Sequence, residues 1–195
     1  MSRRDVILLS VLAVLLVALA VRFIRSGNRE DIRPAEKTEP AAENRPSPEA
    51  GAPPRRMVTV FFAREEDDKL VGETREIPAD PSPEREARAI LAELLDGSAA
   101  GNLSPLPPGT KLEQVFITRT GTAYVDFSRD IVLRHPSGTS AETATIFAVV
   151  NSLAANLKAV KRVFILVDGE ERETLSGHLS LNRSLRPNMN LVAKN

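Results

Sequence analysis

Apolar and polar positions alternate in several short runs beyond residue 57, and each run reads as a strand with one buried face. Val58, Val60 and Phe62 alternate with Thr59, Phe61 and Ala63, and after the charged stretch 64–69 a second strand candidate covers residues 70–77. Residues 112–118 and 122–127 form a hairpin about Thr120-Gly121, because glycine supplies the positive φ that tight turns require. In the second of these strands Ala123, Val125 and Phe127 face one way and Thr122, Tyr124 and Asp126 the other. Residues 163–167 are apolar without a break, the pattern of a central strand covered on both faces. Asp168-Gly169 then turns the chain toward residues 172–175. In the tail, 177–192, the pattern Leu179, Leu181, Leu185 predicts a segment that covers a sheet edge.

Two stretches carry the helical period instead. Ser82 as N-cap, Pro83 at the first helical position, Glu84 beside the positive helix end and Gly97 as a stop delimit the first. Its residues Ala87, Ile90, Leu91, Leu94 and Leu95 share one face, which packs against a sheet. The second opens at Thr139, where Glu142 three residues on predicts a capping box. Ile146, Val149, Val150, Leu153 and Leu157 form its apolar stripe, and it ends near 156–158. Between the helices, residues 98–110 are a loop rich in Gly, Pro, Ser and Ala, either mobile or functional. The connection 128–138 carries Asp130, His135 and Pro136.

The N-terminus changes the picture from a bare domain to an exported one. Residues 6–21 contain Ser10 as their single polar residue and are flanked by Arg3, Arg4, Arg22 and Arg25. At 1.5 Å per residue the run covers roughly 24 Å against a hydrocarbon core of ~30 Å, and Phe23, Ile24 and snorkelling arginines extend it. A single membrane span is the expectation. Ala18-Leu19-Ala20 keeps a cleaved signal peptide as the alternative, and both readings export the remainder. Residues 26–56 hold six prolines, equal numbers of acidic and basic residues and no aromatic, which predicts a disordered linker. The expected organisation is therefore 1–25 anchor or signal peptide, 26–56 linker and 57–195 folded domain.

Charge and composition then narrow the chemistry. The chain has 26 basic and 26 acidic residues and the stretch 57–195 is slightly acidic, which argues against nucleic acid as a partner. No cysteine is present, excluding disulfides, thiol nucleophiles and a lipid-modified N-terminal Cys. Glu65, Glu66, Asp67 and Asp68 lack the spacing and glycine of a calcium loop and read as a solvated hairpin loop. Gly97, Gly101 and Gly109 lack the Lys-Ser/Thr partner of a phosphate loop. A Ser-His-Asp set can be drawn from His178, Ser176 or Ser180 and Asp168, but no nucleophile-elbow sequence supports it. Asp126 has no second placed carboxylate, and Glu142 is better explained by capping than by catalysis. With Tyr124 the only tyrosine and no tryptophan, sugar stacking starts at a disadvantage. The expectation is no enzyme, no catalytic or cofactor-binding residue, no metal ligand and no cofactor.

One ordered set of residues carries a family resemblance: Leu106-Pro107-Pro108-Gly109-Thr110, Gly121 with Tyr124-Val125-Asp126-Phe127-Ser128, Glu142, Val150-Asn151-Ser152-Leu153, then 163–169 with Gly177-His178. In this set the chain resembles the GerMN domain family of sporulation and spore-germination proteins, over most of residues 58–192. The resemblance implies a small α+β domain, a mixed sheet with two helices packed on one side, similar to ring-building motifs. It also implies a role in assembling or positioning a cell-envelope complex, with no established catalytic residues. The expected partners are the bacterial cell membrane through residues 6–24 and an envelope protein, or a second copy of the chain. The alternative is a domain that binds cell-wall glycan or a small ligand. An exposed sheet edge favours the first reading, a pocket of convergent polar groups the second.

Overall fold

The computed structural model describes residues 54–194, so the expected anchor at 1–25 and residues 26–53 of the expected linker lie outside the described residues. Among the described residues no helix is long and apolar enough to cross a membrane. Strand β1 (Arg55–Ala63) pairs antiparallel with β2 (Leu70–Pro78) in a continuous register from Arg55↔Pro78 to Ala63↔Leu70. β1 starts two residues ahead of the sequence-based domain boundary. Its first residues have partners that composition cannot show: Arg55 meets Glu76 at 3.2 Å, and Arg56 meets Glu86 at 2.8 Å. The turn between the strands is closed by Arg64 N–H donating to the Lys69 carbonyl at 2.8 Å and by an Arg64–Asp67 ion pair.

Helix α1 (Pro83–Asp96) forms as its signals predict. The Ser82 hydroxyl accepts from Arg85 N–H at 3.3 Å, and the chain leaves the helix at Gly97 with φ 92°. Ala87, Ile90, Leu91 and Leu94 are fully buried. The hairpin follows as β3 (Leu112–Ile117) and β4 (Thr122–Phe127), with a register shift between Leu112 and Gln114. A short helix α2 (Asp130–Leu133), which no periodicity announces, places Ile131 in the core. Helix α3 (Thr139–Asn156) then crosses over to β5 (Arg162–Val167), which lies parallel to β4, and a two-residue β6 (Glu170–Glu171) closes the sheet. Parallel strands need such a crossover. Leu185 bridges Val163 from the tail, and Leu181 is buried, so the tail covers an edge as expected.

The expected single sheet is two sheets, β1-β2 and β3-β4-β5-β6. The reason lies on the second edge of β1, which α3 occupies in place of a strand. Asn156 Oδ1 accepts from Thr59 N–H at 2.9 Å while its Nδ2 donates to the Thr59 carbonyl at 2.7 Å, and Ser152 Oγ accepts from Phe61 N–H at 3.0 Å. Leu103 exchanges both backbone bonds with Ala63 at 2.9 and 3.1 Å. Side chains and a loop saturate the edge that a third strand would need.

Lying between the two sheets, α3 is buried over more than the predicted stripe: Glu142, Thr145, Ala148, Asn151 and Ser152 are enclosed along with Ile146, Val149, Val150 and Leu153. The unbroken apolar run of β5 is covered on both faces over most of its length, as expected, but by different means. Val163, Ile165 and Val167 face the core, whereas Phe164 and Leu166 lie on the other face, where Tyr124 of β4 covers Phe164 and Leu166 is half-buried.

Candidate functional site

The outer face of the four-stranded sheet carries a row of aromatics. Strand alternation sends Phe116, Tyr124 and Phe164 to this side, and register aligns them: Phe116 is opposite Tyr124, and Tyr124 is opposite Phe164. The Tyr124 and Phe164 rings are 5.4 Å apart and tilted by 31°, a favourable offset arrangement. Phe116 at the end of the row is 62% exposed and Tyr124 37%. One step along the strands the row changes character. Arg162 sits on the same face, two residues before Phe164, and the adjoining turns add Arg119 and Lys161, while Lys158 lines a separate concavity with Asp80 and Glu86. Lys161 reaches this end because Gly121 has no side chain: a Cβ there would stand 3.0 Å from the lysine stem, and φ is 89°.

The polar residues singled out in the sequence serve elsewhere. Glu142 does not cap its helix. Gly138 occupies the N-cap position with no side-chain cap, and the Glu142 side chain turns inward at 0% exposure. Its Oε1 accepts from Leu175 N–H at 2.7 Å and Ser176 N–H at 3.1 Å, and its Oε2 from His178 N–H at 2.8 Å and the Ser176 hydroxyl at 3.0 Å. A carboxylate with four donors in the interior is far better satisfied than one bonded to a single helix-end N–H. Burial raises its pKa, but the backbone N–H groups of Ser176, His178 and Leu175 and the Ser176 hydroxyl outweigh this, and the net shift is downward. His178 Nδ1 lies 3.3 Å from Oε2.

The Ser-His-Asp set is therefore not assembled. Ser176 donates to Glu142, Ser180 Oγ donates to Asn182 at 2.6 Å, and Asp168 accepts from the Arg129 guanidinium at 2.6 Å and from its N–H at 2.9 Å. Asp126 is nearly buried and accepts from Gly169 N–H at 2.9 Å, which holds the turn that follows β5. His135 contacts the Thr145 hydroxyl at 3.0 Å and Asp130 pairs with Arg134 at 3.1 Å, both local supports. Among the described residues no group of acidic or histidine side chains is arranged to hold a metal ion.

A second buried carboxylate had no sequence signal beyond its phase on β2. Glu73 accepts from the Ser98 hydroxyl, from Ala99 N–H at 3.1 Å, from Asn102 Nδ2 at 2.7 Å and from Arg75 at 2.7 Å. Burial pushes its pKa up, and the bonds from Ser98, Asn102, Arg75 and Ala99 pull it further down, to about 2. The loop 98–110 is thus anchored at its start by Glu73, at Leu103 by Ala63, and at Pro105 by the Thr145 hydroxyl. Asn151 likewise pins the tail, accepting from Asn188 N–H at 2.9 Å and donating to its carbonyl at 3.1 Å.

One concavity of about 560 Å³ opens at the start of α3, lined by Arg64, Ser104, Ser137, Thr139, Ser140 and Thr145 among others. Its polar groups are largely engaged: Arg64 with Asp67, Ser140 with Asp68 at 3.0 Å, and Thr145 with the Pro105 carbonyl.

Two sheets with a crossover helix between them and polar side chains spent on loop anchoring define a class of small α+β domain. Residues 59–173 match the family model described as Germane: Sporulation and spore germination, and the chain belongs to that family. Solved structures agree on the fold. The chain is similar to a "putative lipoprotein" from Clostridium perfringens, with 21% identity, TM-score 0.50, and 72% of this chain and 95% of that one covered. It is also similar to the first GerMN domain of the sporulation protein GerM from Bacillus subtilis, at 19% identity and TM-score 0.50, covering 67% of this chain and 97% of that one. Against the tandem GerMN domains of the same protein the values are 18% and 0.52, with 68% of this chain and 46% of the tandem covered. No curated protein matches the chain.

Proposed function

We propose that this chain is a non-enzymatic interaction module, exported and tethered to the bacterial membrane by a single span, that helps to assemble or position a cell-envelope complex. The observation that carries this reading is the aromatic row on the outer sheet face, in which Phe116 and Tyr124 are exposed and Phe164 lies buried beside Tyr124, next to the basic end of the sheet. An apolar centre with a charged rim is the anatomy of a protein interface, and aromatic residues at such centres carry a large share of binding energy. Three further points support it. Ser176, His178, Asp168, Asp126 and Glu142 are each committed to structural bonds. The apolar run 6–24 and the proline-rich stretch after it supply an anchor and a tether. The family is one of sporulation and spore germination.

The test is photo-cross-linking in intact cells from position 114, exposed on β3 two residues from Phe116, followed by identification of what is captured. Capture of an envelope protein, lost on Phe116→Asp, supports the module. Strand cleavage of peptidoglycan by the purified protein would sink it. The second reading, a binder of cell-wall glycan or a small ligand, is favoured by the 560 Å³ concavity and its hydroxyl groups. Retention on purified sacculi that disappears on Ser140→Trp would support that reading instead.

A further inference from the structure

Among the described residues β2 has one edge paired with β1 and no strand on the other. Ala63 and Leu70 face each other across the hairpin, yet Ala63 exchanges its backbone bonds with Leu103, and the Leu70 carbonyl accepts from Ala193 N–H at 2.8 Å. Both residues therefore direct their backbone groups away from the ladder, and in an antiparallel pair this repeats every second residue. On β1 the same phase holds Thr59 and Phe61, whose N–H groups go to Asn156 and Ser152. On β2 it holds Gly72, Thr74 and Glu76, all exposed. Among the described residues, the outward groups of these three make one bond, from Arg55 to the Glu76 carbonyl at 3.1 Å. One strand of the hairpin is sealed and the other is not.

Open edges are ordinarily blunted by proline, lysine or a bulge. Residues 71–77 contain no proline and no lysine, and the β1–β2 register runs without interruption. We propose that the open edge of β2 pairs antiparallel with β2 of a second copy of this chain, about a two-fold axis at Thr74, joining two hairpins into one four-stranded sheet. Charge favours this occupant and this register, because Glu73 and Arg75 already pair within each chain at 2.7 Å and the two-fold sets the two pairs head to tail. With Thr74 opposite its counterpart, Glu73 lies across from Arg75 of the second copy and Glu76 across from Gly72. A two-fold centred one residue to either side would set Glu73 against Glu73 or Arg75 against Arg75, and like charges directly opposite are destabilising. Threonine facing threonine is a favourable cross-strand pair. The ladder ends where the fold ends it: Ala193 occupies Leu70, and Pro78 has no N–H to give. The pairing gives the interaction module a defined partner, and it rests on that reading while leaving the aromatic face free.

The absence of native cysteine makes the test direct. Full-length chain carrying Thr74→Cys is oxidised in parallel with Arg172→Cys, an exposed position just past β6 in the other sheet. The pairing predicts a disulfide-linked dimer as the main product of the first and background levels from the second. Thr74→Pro removes an outward N–H and Thr74→Arg sets two positive charges face to face. Each should raise the dimer dissociation constant in sedimentation by roughly tenfold or more while leaving the melting transition cooperative. Equal cross-linking at positions 74 and 172, or unchanged association of both variants, overturns the pairing. Capture of an envelope protein from position 114 alongside a monomeric Thr74→Cys chain would overturn the pairing alone and leave the interaction module standing.

Discussion

The inner and outer sides of the four-stranded sheet use their side chains in opposite ways. Inside, Glu142, Asn151 and Ser152 are buried and each bonds the backbone of a distant segment: residues 175–178, residue 188 and residue 61. Outside, Phe116 and Tyr124 hold large apolar surface against water beside the basic residues Arg119, Lys161 and Arg162. The contrast teaches that the reactive-looking groups of the inner side are spent on holding the chain together, and that the recognition proposed for the outer face would fall to groups with no reactivity. Buried polar atoms bear this out, since among the described residues every enclosed side-chain nitrogen or oxygen has a hydrogen-bond partner.

The largest effect should come from breaking the inner side. Glu142→Ala strands the N–H groups of Leu175, Ser176 and His178 in a cavity, and a loss of about 3–5 kcal/mol is expected by denaturant unfolding. Glu142→Gln keeps one acceptor oxygen and should cost about 1–3 kcal/mol. Similar losses for an exposed glutamate such as Glu113 would show that the network has no special weight. Next, Asn156→Ala removes both bonds to Thr59 and should cost about 1–3 kcal/mol, read as faster hydrogen exchange along β1.

Acid should separate the two sides as well. The Glu73 carboxyl has a folded pKa of about 2 against an ordinary 4.5. A depressed folded pKa contributes stability that is fully present above about 4.5 and is lost as pH falls toward about 2. Glu142 acts in the same direction. Melting temperature should therefore drop on acidification through that window, and Glu73→Gln should flatten the drop. The smallest stability change belongs to the outer side: Phe116→Ser alters an exposed residue and should shift unfolding by less than about 0.5 kcal/mol. A large loss there would mean that the aromatic row is structural after all.

Much of the architecture was legible because it follows from local pattern. Ser82, Pro83 and Gly97 bound α1 as read, Gly121 turns the β3–β4 hairpin, and the β5 run and its Asp168-Gly169 turn are where alternation and turn chemistry put them. The division into two sheets was not legible, since it depends on Ser152 and Asn156 reaching a strand some ninety residues away. The same distance defeated the reading of Glu142. Three residues of spacing fit a capping box, whereas its actual partners lie more than thirty residues on. The aromatic row was half visible. Phe116 and Tyr124 each fall on the polar phase of an apolar alternation, but bringing Phe164 beside them needs the parallel pairing of β4 and β5.

One paired measurement reaches the central claim, that recognition resides on the outer face and the inner polar cluster serves folding. Partner capture in cells is compared between Phe116→Asp and Ser176→Ala, each first shown to melt cooperatively. Loss of capture in the first with retention in the second is the predicted result; retention in the first with loss in the second would contradict it.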